Sequence, residues 1–212
     1  MSRADGMRLL MTPENIRLSR EGKKTQTRRI IKLSTDVEWT YKGTVDGQLL
    51  FEHYNPEGLI DGLCFRKPRY RVGDLCYLPE PWAADKQYDN YKPSEIPELS
   101  FMFYGDERLV NKCGCKRPAR FMCRWMARHR VRITKVLDPH RIQMISEEDL
   151  KKEMDYAAYL DWKEEICNIA PPGSHISSFR ETFVDQWESI HGPGAWVRND
   201  WVLPIVYEWV EW

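Results

Sequence analysis

The chain has little to offer several familiar kinds of chemistry. No apolar run approaches the roughly 18–20 residues that a membrane-crossing helix needs, and the N-terminal "MSRADGMRLLMT" has no apolar stretch of the signal-peptide kind, so a cytoplasmic protein is expected. No Gly-rich phosphate loop, no Ser-His-Asp set and no H-E-x-x-H occurs, which removes the commonest signatures of nucleotide hydrolysis, serine hydrolysis and zinc proteolysis. There is no internal repeat and no low-complexity tract. Net charge is absent as well: 32 basic residues balance 32 acidic ones. Disulfides are not expected of the six cysteines in a reducing compartment.

What is present is an uneven distribution of that charge. Residues 1–32 carry nine Lys or Arg against three acids, and residues 112–135 carry nine basic residues and no acid. Residues 181–212 hold six acids and one Arg. Basic blocks inside a neutral whole point to a localised anion site or to a solvated basic face. At 42% apolar residues, with nine Trp, 212 residues suffice for one large domain with a proper core.

Local signals order the chain. "MRLLMT" reads as a short strand, and Thr12 caps a helix with Pro13 in its first turn and Gly22 past its end. "TQTRRII" alternates and is β-branched, predicting a strand from about Thr25. Residues 33–67 read as an insertion, with "VEWTYKG" and "GQLLFEHY" pairing around Asp46-Gly47. "LCYLPE" is a short or edge strand ended by Pro79, and residues 83–118 form a second long insertion. Arg130–Val136 alternates basic and apolar residues, the clearest half-buried strand. Ser146 opens one helix, a second covers about 156–167, and Ser178 with Glu181 forms a capping box for a third that ends at Gly192. "WVLPIVYEWVEW" closes as a strand. The pattern is α+β, a small mixed sheet with helices at its ends.

Four stretches in this order, "LSREGKKTQTRR", "RVGDLCYLPEPW", "RWMARHRVRITKVLDPHRIQMISEEDL" and "WESIHG…W…NDWVLPIVYEW", resemble an ASCH domain of the PUA-like superfamily. With Arg124-Trp125 the pattern is most similar to the long members found in phage and prophage genomes. The resemblance covers about two thirds of the chain and leaves out the two insertions. It implies a small mixed β-barrel of about six strands with flanking helices. It also implies a cleft between the first helix and the helix after the long basic strand. Nucleic-acid binding is the common role it implies, so RNA, DNA or a modified nucleoside is the expected partner. No membrane and no cofactor are expected, and the insertions offer a surface for a protein partner. Small bacterial members hydrolyse the amide of N4-acetylcytidine with a Lys, a Thr and a Glu. Carried over by motif, these are Lys24, Thr27 and Glu153.

Amide hydrolysis needs a nucleophile, a base and a proton donor for the leaving amine. Lys24 serves as base only with a depressed pKa, which burial and the like charges of Lys23, Arg28 and Arg29 would supply; these three are also candidate ligand contacts, the arginines holding phosphate or carbonyl oxygens. Strict strand alternation sets Lys24 and Thr27 on opposite faces, so the pair requires Lys24 to lie in the turn after Gly22. For binding, Arg124, Trp125, Arg128 and Arg130 mix cations with an aromatic near a strand, as stacked bases and phosphates require. Trp82 and Trp125 are equally readable as core anchors. Glu80 holds a nucleobase amine or pairs with an arginine of the basic strand. Cys113, Cys115 and Cys123 with His129 or His140 have zinc-ligand chemistry, but the C-x-C opening is tight for a structural site and no metal is assigned. A ribonuclease and a phage assembly or interaction factor complete the alternatives.

Overall fold

The computed structural model describes residues 7–103, 114–171 and 173–211. It is mixed α+β, and its contacts divide it into two compact units. Met1–Gly22, Val72–Ile133 and Tyr207–Trp212 make up the first; Lys23–Arg71 and Thr134–Val206 make up the second.

In the first unit, β1 (Met7–Arg8) pairs in parallel with β6 (Leu75–Tyr77), which pairs antiparallel with the start of β9 (Arg130–Val136). Between β1 and β6 in sequence come α1 (Pro13–Arg20) and the strands of the second unit. Thr12 caps α1 by accepting a hydrogen bond from the Asn15 amide, and Ile16 and Leu18 are the buried apolar residues of the helix. Short strands β7 (Trp82–Ala84) and β8 (Phe101–Phe103) pair within the second predicted insertion. Their core gathers Trp82, Met122 and Met126 around Tyr77.

The second unit is built on β2 (Gln26–Ile30), which pairs antiparallel with β11 (Trp201–Val210) from Ile30↔Val202 to Gln26↔Val206. On β11's side, β10 (His140–Arg141) pairs through Arg141↔Trp201. The first predicted insertion is a three-stranded antiparallel sheet of β3 (Thr40–Val45), β4 (Gln48–Tyr54) and β5 (Ile60–Arg66). Its hairpin turns at Asp46 and Gly47, both at positive φ (50° and 71°), as a two-residue turn between twisted strands demands. Leu49 and Phe51 of β4 alternate inward onto Leu203.

Three helices complete the unit. Ser146 caps α2 (Glu147–Glu153) through the Asp149 amide, and Asp155 caps α3 (Tyr156–Ile169) through the Ala158 amide. Ser178 and Glu181 form a reciprocal capping box for α4 (Phe179–His191). The spacing of four in Phe179, Phe183 and Trp187 places all three on one buried stripe, against Leu150, Ile142 and Val202. Each such side chain contributes about 1.5–3 kcal/mol by leaving water. Among the described residues no helix is long and apolar enough to cross a membrane.

Candidate functional site

The segment just before β2 is where the second unit concentrates buried charge. Gly22 turns the chain at φ 72° after α1, and β2 begins only at Gln26. Lys24 therefore lies ahead of the strand, outside its alternation. The Thr25 amide donates to the Lys152 carbonyl at 3.0 Å, tying the entry of β2 to the last turn of α2.

That tie brings Lys24 to the C-terminus of α2, where carbonyls lack helical partners and the dipole is negative. Its ammonium donates to the Glu153 carbonyl at 2.7 Å and to the Glu153 carboxylate, Oε2, at 3.2 Å. Asp149 and Glu153 stand four residues apart on one face of α2, and the Arg28 guanidinium spans both. Its Nη1 donates to Glu153 Oε1 at 2.5 Å and its Nη2 to Asp149 Oδ2 at 2.9 Å. Lys24, Arg28 and Glu153 are all buried, 3%, 3% and 5% exposed. Burial pushes the Lys24 ammonium below its ordinary range, with the Glu153 charge pulling the other way.

His140 of β10 closes the cluster. Arg28 Nε donates to its Nε2 at 3.3 Å, and since a guanidinium only donates, that nitrogen carries no proton. Burial first and the Arg28 charge second hold His140 below its ordinary pKa. At the edge, Lys23 pairs with Asp155 at 2.7 Å, and Lys152 with Asp149 at 3.4 Å. Among the described residues, the cluster's two buried cations thus face two carboxylates.

No family model, curated protein or solved structure matches the chain.

Of the residues expected there, Lys24, Arg28 and Glu153 are brought into contact. Thr27 is 8% exposed on β2, alternating with Arg28, and no hydrogen bond among the described residues joins its hydroxyl to Lys24 or Glu153. Arg29 is half-buried on the same strand. Sequence reasoning missed Gln26. It is fully buried, and among the described residues neither Oε1 nor Nε2 has a hydrogen-bond partner. A buried primary amide with both ends unmet costs about 1–3 kcal/mol per group. The only sequence signal was its place between Lys24 and Arg28 in a strand.

The remaining expected residues belong to the first unit. Glu80 accepts a two-pronged bond from Arg128, Nε to Oε2 at 2.8 Å and Nη2 to Oε1 at 2.9 Å, so it pairs with an arginine, though one just ahead of β9 and not on it. His129 Nε2 lies 3.4 Å from the same carboxylate, and burial holds that imidazole below its ordinary pKa. The Arg128 guanidinium also sits 3.9 Å over the Phe103 ring. Trp82 is fully buried, which makes it a core anchor and not a stacking surface. Trp125, 40% exposed, meets Phe101 edge-on at 5.2 Å. Arg124 lies on the same short 3-10 turn as Trp125, and Arg130 opens β9. For the zinc alternative, Cys113 lies outside the described residues, and among the described residues no three metal-ligating side chains gather.

Proposed function

We propose that the chain binds a modified nucleoside at the Lys24–Arg28–Glu153 centre, as an ASCH domain of PUA-like architecture. The observation that carries this reading is Lys24 itself. A lysine buried to 3% exposure and held by both the carbonyl and the carboxylate of Glu153 is a positioned donor in a buried site, not a surface cation. Because Arg28 and Lys24 are already neutralised, the centre suits an uncharged carbonyl- or amide-bearing group better than a phosphate. The order of motifs, from the Gly-terminated helix to the basic strand and the acidic helix, supports the same assignment.

A second reading, hydrolysis of the amide in an N4-acetylcytidine-type nucleoside, is favoured by the downward shift of the Lys24 ammonium. An amine whose pKa is lowered, held beside a carboxylate, is suited to accept a proton from a hydroxyl or a water. Incubation with N4-acetylcytidine separates the two. Binding without turnover, lost in Lys24→Ala, supports recognition alone; conversion to cytidine and acetate, reduced at least 100-fold in Lys24→Ala, supports hydrolysis. Absence of both binding and turnover in the wild type removes the proposal.

A further inference from the structure

We infer that β5 is the contact edge of a two-fold dimer, pairing antiparallel with β5 of a second copy of this chain. The inference is independent of the nucleoside reading.

The first insertion is a sheet in the order β3-β4-β5, so among the described residues β5 has β4 on one side and no strand on the other. An edge of unpaired backbone groups is a template for another strand, and proteins that avoid such pairing shorten the edge, place Pro in it or spread charge along it. β5 lacks the first two devices and confines charge to its ends. It runs seven residues, Pro68 falls beyond it, and residues 62–65 in its middle carry no charge. The Phe65 carbonyl accepts from Arg66 Nη1 at 3.3 Å, a long bond from an exposed side chain that yields readily to a strand amide.

Alternation gives the strand two faces. Cys64 turns inward with its β4 partner Phe51, into the core with Leu203. Leu63 and Phe65 turn outward and are 57% and 44% exposed. Leu50, opposite Phe65, and the exposed Val45, opposite Gln48, extend the same outer face. An apolar outer face therefore runs up to an open edge.

The edge is complementary to itself. With β5 laid antiparallel on its copy so that Cys64 meets the partner's Cys64, Leu63 faces the partner's Phe65, and Phe65 the partner's Leu63. Asp61 then faces the partner's Lys67, the exposed residue just past the strand, at both ends of the seam. Apolar meets apolar and carboxylate meets ammonium, the favourable cross-strand combinations. A slide of two residues loses this, setting Asp61 against Phe65 in one direction and Leu63 against Lys67 in the other. A slide of one joins the outer face of one copy to the core face of the other. The same patch serves both copies, as a closed two-fold interface requires. The seam is short, so the association is weak.

Sedimentation equilibrium over about 5–500 μM protein tests this. A monomer–dimer equilibrium is expected, with a Kd on the order of 10–100 μM. Asp61→Lys and Lys67→Asp each set like charges together at both ends of the seam and should weaken the dimer about tenfold. The two changes combined should restore it to within about threefold of wild type. Within one copy these residues lie six apart, about 20 Å along the strand, so the rescue acts only between copies. Leu63→Lys, an exposed position, should leave a monomer throughout the range. A wild type that stays monomeric at 500 μM overturns the second copy as occupant and leaves the edge to a strand of another protein. Assemblies larger than a dimer overturn the two-fold closure. A dimer that the single charge changes do not weaken, or that the combined change does not restore, overturns the pairing.

Discussion

Two carboxylate–cation clusters in this molecule use the same chemistry at different depths. In the second unit Glu153 is 6% exposed in its side chain and holds Lys24 and Arg28, which are 3% and 0% exposed. In the first, Glu80 is 13% exposed and holds an Arg128 that is 47% exposed. Bond lengths are alike, so geometry alone does not separate them. Depth does. An exposed pair exchanges one hydrated arrangement for another and contributes little, whereas buried ions depend wholly on each other once water is gone. The lesson is that the deep cluster is kept at a cost, and a cluster kept at a cost calls for a reason beyond holding the fold.

The contrast is broken most directly at Glu153. Glu153→Gln leaves Lys24 and Arg28 buried with one carboxylate between them, and should lower unfolding stability by about 3–5 kcal/mol in urea titration. A loss below 1 kcal/mol would mean that water reaches the cluster. Gln26 sharpens the comparison from the other side. Gln26→Met keeps the volume and removes two unmet polar groups, so stability should rise by about 1–2 kcal/mol, while affinity for the nucleoside falls if the amide serves the ligand. A drop in stability would reveal a partner for the amide. The smallest effect belongs to the exposed pair. Arg128→Ala should cost no more than about 1 kcal/mol, and the part due to charge should fade in 0.5 M salt.

Much of this architecture is legible in the chain because local chemistry dictates it. Thr12, Ser146 and Ser178 cap the helices that follow them, and Asp46-Gly47 turns the hairpin it marks. Arg130–Val136 alternates over seven residues and is a strand over those seven. Elements of two or three residues, such as β10 and β7, are too short to show any period, and pairing with distant strands alone defines them. β5 is illegible in the sequence for a related reason: Gly62 and an exposed Leu63 blur its alternation, and its pairing with β4 supplies the order. At the site, Lys24 and Glu153 are 129 residues apart, and only likeness of motif put them together beforehand. The burial of Gln26 has no such guide. It depends on how strands and loops close around it, which composition does not encode.

The bond from Lys24 to the last carbonyl of α2 reaches further than the site. A helix end ordinarily frays, its terminal groups trading between water and protein. Here one ammonium from another part of the chain clasps both the backbone end and the side chain of the final residue. The terminal turn and the charged centre therefore make a single latch: whatever draws Glu153 away releases the helix end along with it.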